Sequence, residues 1–454
     1  MNILLPTYSY HPYQYGGTEI YVSGLANYLT TKGHNVTIIA GMPSTAFDEH
    51  DLFFEDDNLK TIIYFQNEIR IVGVILKETK VHDIYRKYRL EWVSSWLKVI
   101  QKLDTAYWNI IHIHANTSAI GISLVKAVKI HSPQINTVAS YHLPLSCVKG
   151  TLLFGNLMKA CNVKPNRNIC TACFISDKKN IPLKISSPVA FMMPMWKNEK
   201  FPTDLKLKYL VNEFIESFNL FCMEIDQWHV FSMQITSILL LNKIDPSNIL
   251  LLDHGVNPVF NIDDYLIRQR QKLKQTNFLY AGRFDQAKGF ITLLKAWCSL
   301  PELADRILVV VGQKQNEDII LTNWLKEAAK RKDIKWMGVQ PQEQVAILMK
   351  NAHCAIIPSE CIEIGPLVFH EAIAAGCDVL TSDIGGCKEL GKIYAGKTTL
   401  FKAAKSNVLA QKIIDFNYSG LRINVTDQLE NYGKVLNAYQ ALKYRAIGSL
   451  KELL

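Results

Sequence analysis

Residues 354–372 read CAIIPSECIEIGPLVFHEA. The opening residues are apolar without alternation, as in a strand covered on both faces of a parallel sheet. Pro358 ends the run because it offers no amide to a ladder. Gly365-Pro366 forms a turn, and the apolar spacing from Leu367 predicts a helix with Glu371 in its first turns. Strand, loop and helix start in this order place Glu363 in the loop beside amides with no intrahelical acceptor. Such amides attract phosphate.

The same rhythm runs outward in both directions. Strands are predicted at Asn2–Pro6, Asn35–Ala40, Lys60–Gln66, Ile110–His114 and Thr137–Tyr141, with helices at Thr18–Thr31 and Ile84–Leu103. After the stretch from 147 to about 200 the same rhythm resumes with Trp228–Phe231, Ile249–His254, Thr276–Gly282, Arg306–Val311, Ile334–Met337, Cys354–Pro358 and Asp378–Thr381. Short apolar strands spaced by amphipathic segments are α/β units, and two series predict two Rossmann-like, doubly wound domains. His254–Asp264, polar and bearing Gly255 and Pro258, reads as the linker. The expected domains are 1–255, interrupted at about 147–200 by a Lys-, Pro- and Cys-rich insert, then 256–426, then a helix over 427–454.

With 454 residues, 48% apolar and 20% charged, the chain has a globular balance that excludes a disordered tail. Its longest nearly uncharged apolar stretches, Ser187–Trp196 and Val230–Asn242, are shorter than the roughly 18 residues of a membrane span. The start, MNILLPTYSY, has no basic stretch ahead of its apolar residues, so a signal peptide is not expected and a cytoplasmic location is. The net charge of +9 concentrates in 77–102, with seven basic and three acidic residues, and in 149–184, with seven and one. Basic surface of this kind is either solvated or meets an anionic partner, a phosphorylated ligand or an anionic membrane. Aromatic residues do not alternate with the basic ones as on a nucleic-acid platform, so no nucleic-acid partner is expected.

Two further turns resemble that of 358–372 in kind. Tyr15–Glu19 (YGGTE) follows the first strand, and its Gly16-Gly17 pair lets backbone approach a ligand. Tyr280–Gly289 (YAGRFDQAKG) sets Arg283 and Lys288 at the carboxyl edge of a parallel strand, where such sheets bind ligands. Two cations there suit a diphosphate that gains charge as its sugar leaves, although a surface ion pair would look the same. The carboxylates Glu363 and Glu371, on either side of a phosphate site, suit hydroxyl groups at both ends of a nucleotide sugar. Asp383–Gly386 offers more close backbone.

Other patterns weaken on inspection. Gly391–Thr398 (GKIYAGKT) matches the P-loop expression, but Gly386–Leu390 before it is no apolar strand and Thr399–Phe401 after it is no helix. His112 and His114 share one face of a strand with no neighbouring ligand to complete a metal site, so a strand end bordering a cleft is expected. Gly-x-Gly-x-x-Gly is missing, which argues against a dehydrogenase.

Five motifs in order then resemble the family-4 glycosyltransferases. They are Gly16-Gly17-Thr18-Glu19; Leu25 with Gly33-His34-Asn35-Val36; His254-Gly255-Val256-Asn257; Gly282-Arg283 with Lys288-Gly289; and Glu363 with Glu371-Ala372 and Gly376. Asp378 stands where the family has proline, and His254 where asparagine is more frequent. The resemblance implies the GT-B fold, two Rossmann-like domains facing across a cleft, with the C-terminal helix crossing back to the N-terminal domain. It implies a retaining enzyme that moves a sugar from a UDP-, GDP- or ADP-linked donor to an acceptor hydroxyl without a catalytic metal. The acceptor would belong to polysaccharide, glycolipid or lipid-linked oligosaccharide synthesis. In these terms Arg283 and Lys288 hold the diphosphate, Glu363 binds the sugar and Glu371 the ribose. Gly365, Pro366, Leu367 and Val368 line the donor, Gly16 and Gly17 approach it from the other domain, and His142 stands near the reacting sugar. A GT-B sugar-nucleotide epimerase is the alternative, and a P-loop NTPase using Gly391–Thr398 a more distant one.

Two local expectations remain. Ile84–Leu103 would present Arg86, Lys87, Arg89, Trp92 and Trp96 to an anionic lipid surface or a lipid-linked acceptor, peripheral to the inner membrane face, unless its tryptophans are core. Cys147, Cys161, Cys170 and Cys173, closing in a Cys-x-x-Cys pair, would hold a structural zinc, with buried thiols as the alternative.

Overall fold

The computed structural model describes residues 1–451 except 14–15, 77–89, 117–119, 143, 157–158, 197–201, 303 and 315–317. Side chains at 203 and 444–451 are likewise left aside. The chain divides into two compact units. The first holds the residues up to Leu252, apart from a short segment ending at Cys161, and regains Tyr432–Leu454; the second holds Asp253–Asn431 and that segment.

The first unit carries β1 (Asn2–Thr7), β2 (Asn35–Gly41), β3 (Leu52–Glu55), β4 (Leu59–Gln66), β5 (Ile69–Leu76), β6 (Ile110–Ile113), β7 (Asn136–Ser140), β8 (Gln227–Val230) and β9 (Ile249–Leu251). They form one sheet in the order β3-β4-β5-β2-β1-β6-β7-β8-β9. It is parallel from β5 to β9, with β3 and β4 added antiparallel at one edge. Helix Gly17–Thr31 lays Tyr21, Val22, Leu25 and Leu29 against Ile3, Leu5 and Ile38. Tyr432, Val435 and Tyr439 of the last helix, Gln428–Lys451, join the same core. Gly24 admits this helix: a Cβ there would lie 2.2 Å from the Tyr432 hydroxyl.

The second unit carries β10 (Thr276–Ala281), β11 (Arg306–Val311), β12 (Ile334–Gly338), β13 (Cys354–Ile357), β14 (Asp378–Ser382) and β15 (Thr398–Phe401). Their order is β12-β11-β10-β13-β14-β15, parallel throughout. Alternate residues of β10 enter different cores: Phe278 and Tyr280 join Trp297 and Leu308, whereas Leu279 joins Ile357 and Phe369. Burial on both faces is what makes these strands uniformly apolar. The strand order reverses between β10 and β13 here, and between β1 and β6 in the first sheet. Loops diverge at such points and leave a crevice at the carboxyl ends.

Three expectations change. In place of a helix over Ile84–Leu103 the structure has Val93–Lys102, with Arg86, Lys87 and Arg89 outside the described residues. Trp92 and Trp96 are buried, so they serve the core and cannot face lipid. The Lys-, Pro- and Cys-rich insert, for which the sequence predicts no helix, contains helices Arg167–Lys179 and Leu183–Met192, and Thr203–Met223 follows as the crossover that a parallel β7–β8 pair requires. Among the described residues no helix is long and apolar enough to cross a membrane.

Candidate functional site

The loops after β10, β13 and β14 converge on Glu363. Its Oε1 accepts from Lys288 Nζ at 2.6 Å and from the Ser359 hydroxyl at 2.7 Å. The Glu360 amide donates to Ala287 O at 2.8 Å, tying the β13 loop to the β10 loop. The Gly386 amide donates to Glu363 O at 2.6 Å, tying in the third. Glycine is required at these joints. Gly289 has φ +67°, and a Cβ on it would lie 1.7 Å from Pro358 O; one on Gly386 would lie 2.7 Å from Glu363 O.

Asp285 shapes the turn that holds the cations. Its Oδ1 accepts from the Lys288 amide at 2.8 Å, and its Oδ2 lies 3.3 Å from Arg283 Nε. Tyr280 donates its hydroxyl to Arg283 O at 2.6 Å. Burial would raise the Glu363 carboxyl, but Lys288, the Ser359 hydroxyl and Arg283 together hold it below the usual carboxylate range. Burial equally opposes the Lys288 charge, and Glu363 outweighs it, raising the ammonium's pKa. Both groups are therefore charged at neutral pH. Lys288 keeps about a third of its side chain in solvent and Arg283 about half, so an anion can reach both.

Gly365-Pro366 leads into helix Leu367–Ala374, and Leu367 and Val368 are its first residues. Amides at such a start lack intrahelical acceptors and suit phosphate. Glu371 lies further along this helix, where burial pushes its carboxyl up to about 7 against a hydrogen bond from Gln342. Gln342 in turn accepts from Asn257 Nδ2 at 3.3 Å, which links the His254–Asn257 motif to Glu371. Glu371 thus titrates near neutrality while Glu363 is fully ionised. Cys361 and Cys387, also beside Glu363, have thiols pushed up to about 12 by burial and by its charge, so neither is a thiolate nucleophile.

The first unit's switch point holds a glycine pair, a buried carboxyl and a cluster of histidines. Gly16 precedes helix Gly17–Thr31, and the buried Glu19 accepts from the Ser9 hydroxyl at 2.9 Å. Tyr15 lies outside the described residues. His142, just past β7, lies with its ring 4.8 Å from Phe231 and 5.0 Å from Tyr21. Its Nε2 is 3.2 Å from Nδ1 of His114.

His112 and His114 are fully buried, contrary to the expectation of a cleft border, because helix residues pack on this face of the sheet: the Tyr439 ring lies 5.6 Å from His112 and the Tyr21 ring 5.8 Å from His114. His112 contacts the Tyr439 hydroxyl and lies 2.8 Å from Ser140 Oγ. Burial drives the pKa of His114 and His229 down to about 3, so these rings are uncharged.

Sequence reasoning missed Ser359, Asp285 and Ser9, each of which positions a site carboxylate or cation. Their signal lay only in being next to the motifs. Among the described residues no group of three or more His, Cys, Asp or Glu side chains is placed to hold a metal. Cys173 Sγ accepts from the Gly155 amide at 3.0 Å and Cys170 Sγ from the Asn166 amide at 3.4 Å. The P-loop reading fails. Lys397 is sealed, 3.0 Å from Asp378 Oδ1 and donating to Gly376 O at 3.1 Å and Leu421 O at 2.7 Å, and a strand follows it. Asp378, the departure from the family's proline, is that lysine's counter-ion.

Comparison with known proteins agrees with this construction. Residues 15–170 match the family described as Glycosyltransferase Family 4, and 263–434 match Glycosyl transferases group 1. A lipopolysaccharide 1,2-N-acetylglucosaminetransferase of Salmonella typhimurium is 35% identical over 132 residues, which cover 27% of this chain and 35% of that protein. The chain thus spans about a third of the length of this curated relative. A glycosyltransferase from Rickettsia africae superposes with TM-score 0.60 at 17% identity, covering 97% of this chain and 98% of that one. Anabaena HepE, solved with UDP, gives 0.53 at 13% identity over the full length of both. Two GT-B-type parallel sheets, the ordered motifs and both family matches lead to one conclusion: the chain belongs to the family-4 glycosyltransferases.

Proposed function

We propose that the protein moves a sugar from a nucleoside-diphosphate sugar to an acceptor hydroxyl with retention, in the assembly of polysaccharide, glycolipid or lipid-linked oligosaccharide. The observation that carries this reading is the reachable Lys288–Glu363 pair, with Arg283, at the switch point of the second sheet. Arg283 and Lys288 take the diphosphate and stabilise the charge that grows on it as the sugar–oxygen bond breaks, a task given elsewhere to a divalent ion. Leu367 and Val368 add amides, Glu363 accepts hydrogen bonds from the sugar, and Glu371 from the ribose. In the first unit, the family resemblance gives Gly16 and Gly17 a donor contact and His142, a neutral imidazole here, a place near the reacting sugar.

The chemistry follows from this division. The acceptor oxygen attacks the anomeric carbon from the side on which the diphosphate departs, and the departing phosphate takes the acceptor's proton. One carbon–oxygen bond forms and one breaks on the same face, so configuration is kept. The lipopolysaccharide enzyme among the relatives supports a cell-surface glycan as acceptor. The test is release of nucleoside diphosphate from UDP-, GDP- and ADP-sugars with and without candidate acceptors. Acceptor-dependent release from one donor is expected. Release without acceptor, together with an epimerised sugar, would favour the epimerase instead.

A further inference from the structure

Helix Leu183–Met192 packs inside out. Ser186 and Ala190, one turn apart, are 0% exposed, whereas Ile185, Val189 and Met192 are 51%, 43% and 74% exposed. Positions i, i+4 and i+7 form one stripe along a helix. Here the stripe in solvent is the large apolar one and the buried one is small. Phe191, at 72% exposure, adds to it within the helix, and Met195 at 37% and Trp196 at 41% carry the apolar surface beyond the helix end. Lys208, itself buried, holds this end in place by donating to Phe191 O at 2.8 Å. Helix Arg167–Lys179, packed on it, repeats the arrangement by burying Thr171, Ala172 and Ser176 while Ile169 is exposed.

Within 178–196 the charges have one sign, and the acids beside them are Asp177 and Asp204. Lys178, Lys179 and Lys184 are the charged residues of 178–196, and all three are exposed. Lys178 shares Asp204 at 3.1 Å. A protein interface keeps a polar rim of mixed character around its apolar centre. A helix with bulky apolar residues on one side and lysines beside them suits the boundary between lipid headgroups and acyl chains, where tryptophan also concentrates. We propose that this face of the insert docks on an anionic phospholipid bilayer, with Phe191, Met192 and Trp196 entering the boundary and Lys179 and Lys184 meeting lipid phosphates. It takes the place of the surface expected at Ile84–Leu103, whose tryptophans are in the core. The local excess of basic residues over 149–184 then has a partner, and the insert a purpose.

The test is co-sedimentation of the full chain with phosphatidylcholine vesicles, with and without phosphatidylglycerol, and with no donor or acceptor present. Its outcome is therefore separate from that of the transferase assay. Binding to the anionic vesicles, weakened but not abolished by salt, is expected. The pair Phe191→Ser and Met192→Ser should lower partitioning at least about tenfold, and Lys179→Glu with Lys184→Glu should remove the preference for phosphatidylglycerol. Phe65→Ser, at an exposed site on β4, should change neither. Melting temperatures of all variants should match the parent, since each site faces solvent. Failure of the parent to bind vesicles, or equal binding by the Phe191/Met192 variant, would overturn the proposal. So would a concentration-dependent dimer that the same variant dissolves, which would make the face an interface between copies.

Discussion

Two lysines of the second unit sit in glycine-rich turns, and both pair with a carboxylate. Lys397 has no exposed side-chain surface, lies 3.0 Å from Asp378, and gives its remaining hydrogens to two backbone carbonyls. Lys288 keeps about a third of its side chain in water and pairs with Glu363 at 2.6 Å. The first lysine has nothing left to offer a ligand; the second can share its carboxylate with one. A motif match weighs both alike. Access and saturation of donors tell them apart.

The difference can be broken by mutation. Lys397→Ala leaves Asp378 buried without its counter-ion and should cost about 3–5 kcal/mol of stability, measured by denaturant unfolding. A loss under about 1 kcal/mol would mean that the pair is not sealed. Lys288→Ala and Glu363→Ala should each lower turnover by about 10² or more, the scale of one lost transition-state contact. Their melting should stay close to the parent's, because the pair is partly solvated. A variant that loses stability but keeps its rate would reverse the assignment of the two lysines.

A smaller effect concerns the other carboxylate. Glu371 is raised from 4.5 to about 7 in the folded state, so the native protein holds a proton that the unfolded chain has released. Its contribution to stability is therefore complete below about pH 4.5, falls as pH rises towards 7, and then levels off. Glu371→Gln should remove that slope. Thermal unfolding of parent and variant from pH 4 to 8 should diverge by a few degrees, with the variant the more stable at the upper end. Parallel curves would show that Glu371 is already ionised.

Much of this was legible from residues whose type is forced. Gly289 has to be glycine against Pro358 O, and the apolar strands of the second sheet have to be apolar on both faces, so fold and cation site could be read together. Strand β5, Ile69–Leu76, escaped because the β4–β5 turn is made by Asn67 and Glu68 at φ 48° and 65° with no glycine to mark it. The insert's helices escaped because they bury Ser, Thr and Ala and expose the large residues, which inverts the pattern that usually signals a helix. The neutrality of His112 and His114 depends on burial under helices distant in sequence, which bring Tyr439 and Tyr21 onto the rings, and no local pattern carries that.

The central claim, that the reachable lysine at the β10–β13 switch point holds a diphosphate, is tested most directly by calorimetric titration of the full chain with UDP, GDP and ADP. One nucleotide should bind per chain, and Lys288→Ala should weaken it at least about tenfold, while the same titration of any folded Lys397→Met protein should match the parent. Equal affinity in the parent and Lys288→Ala, or loss of binding in Lys397→Met alone, would contradict it.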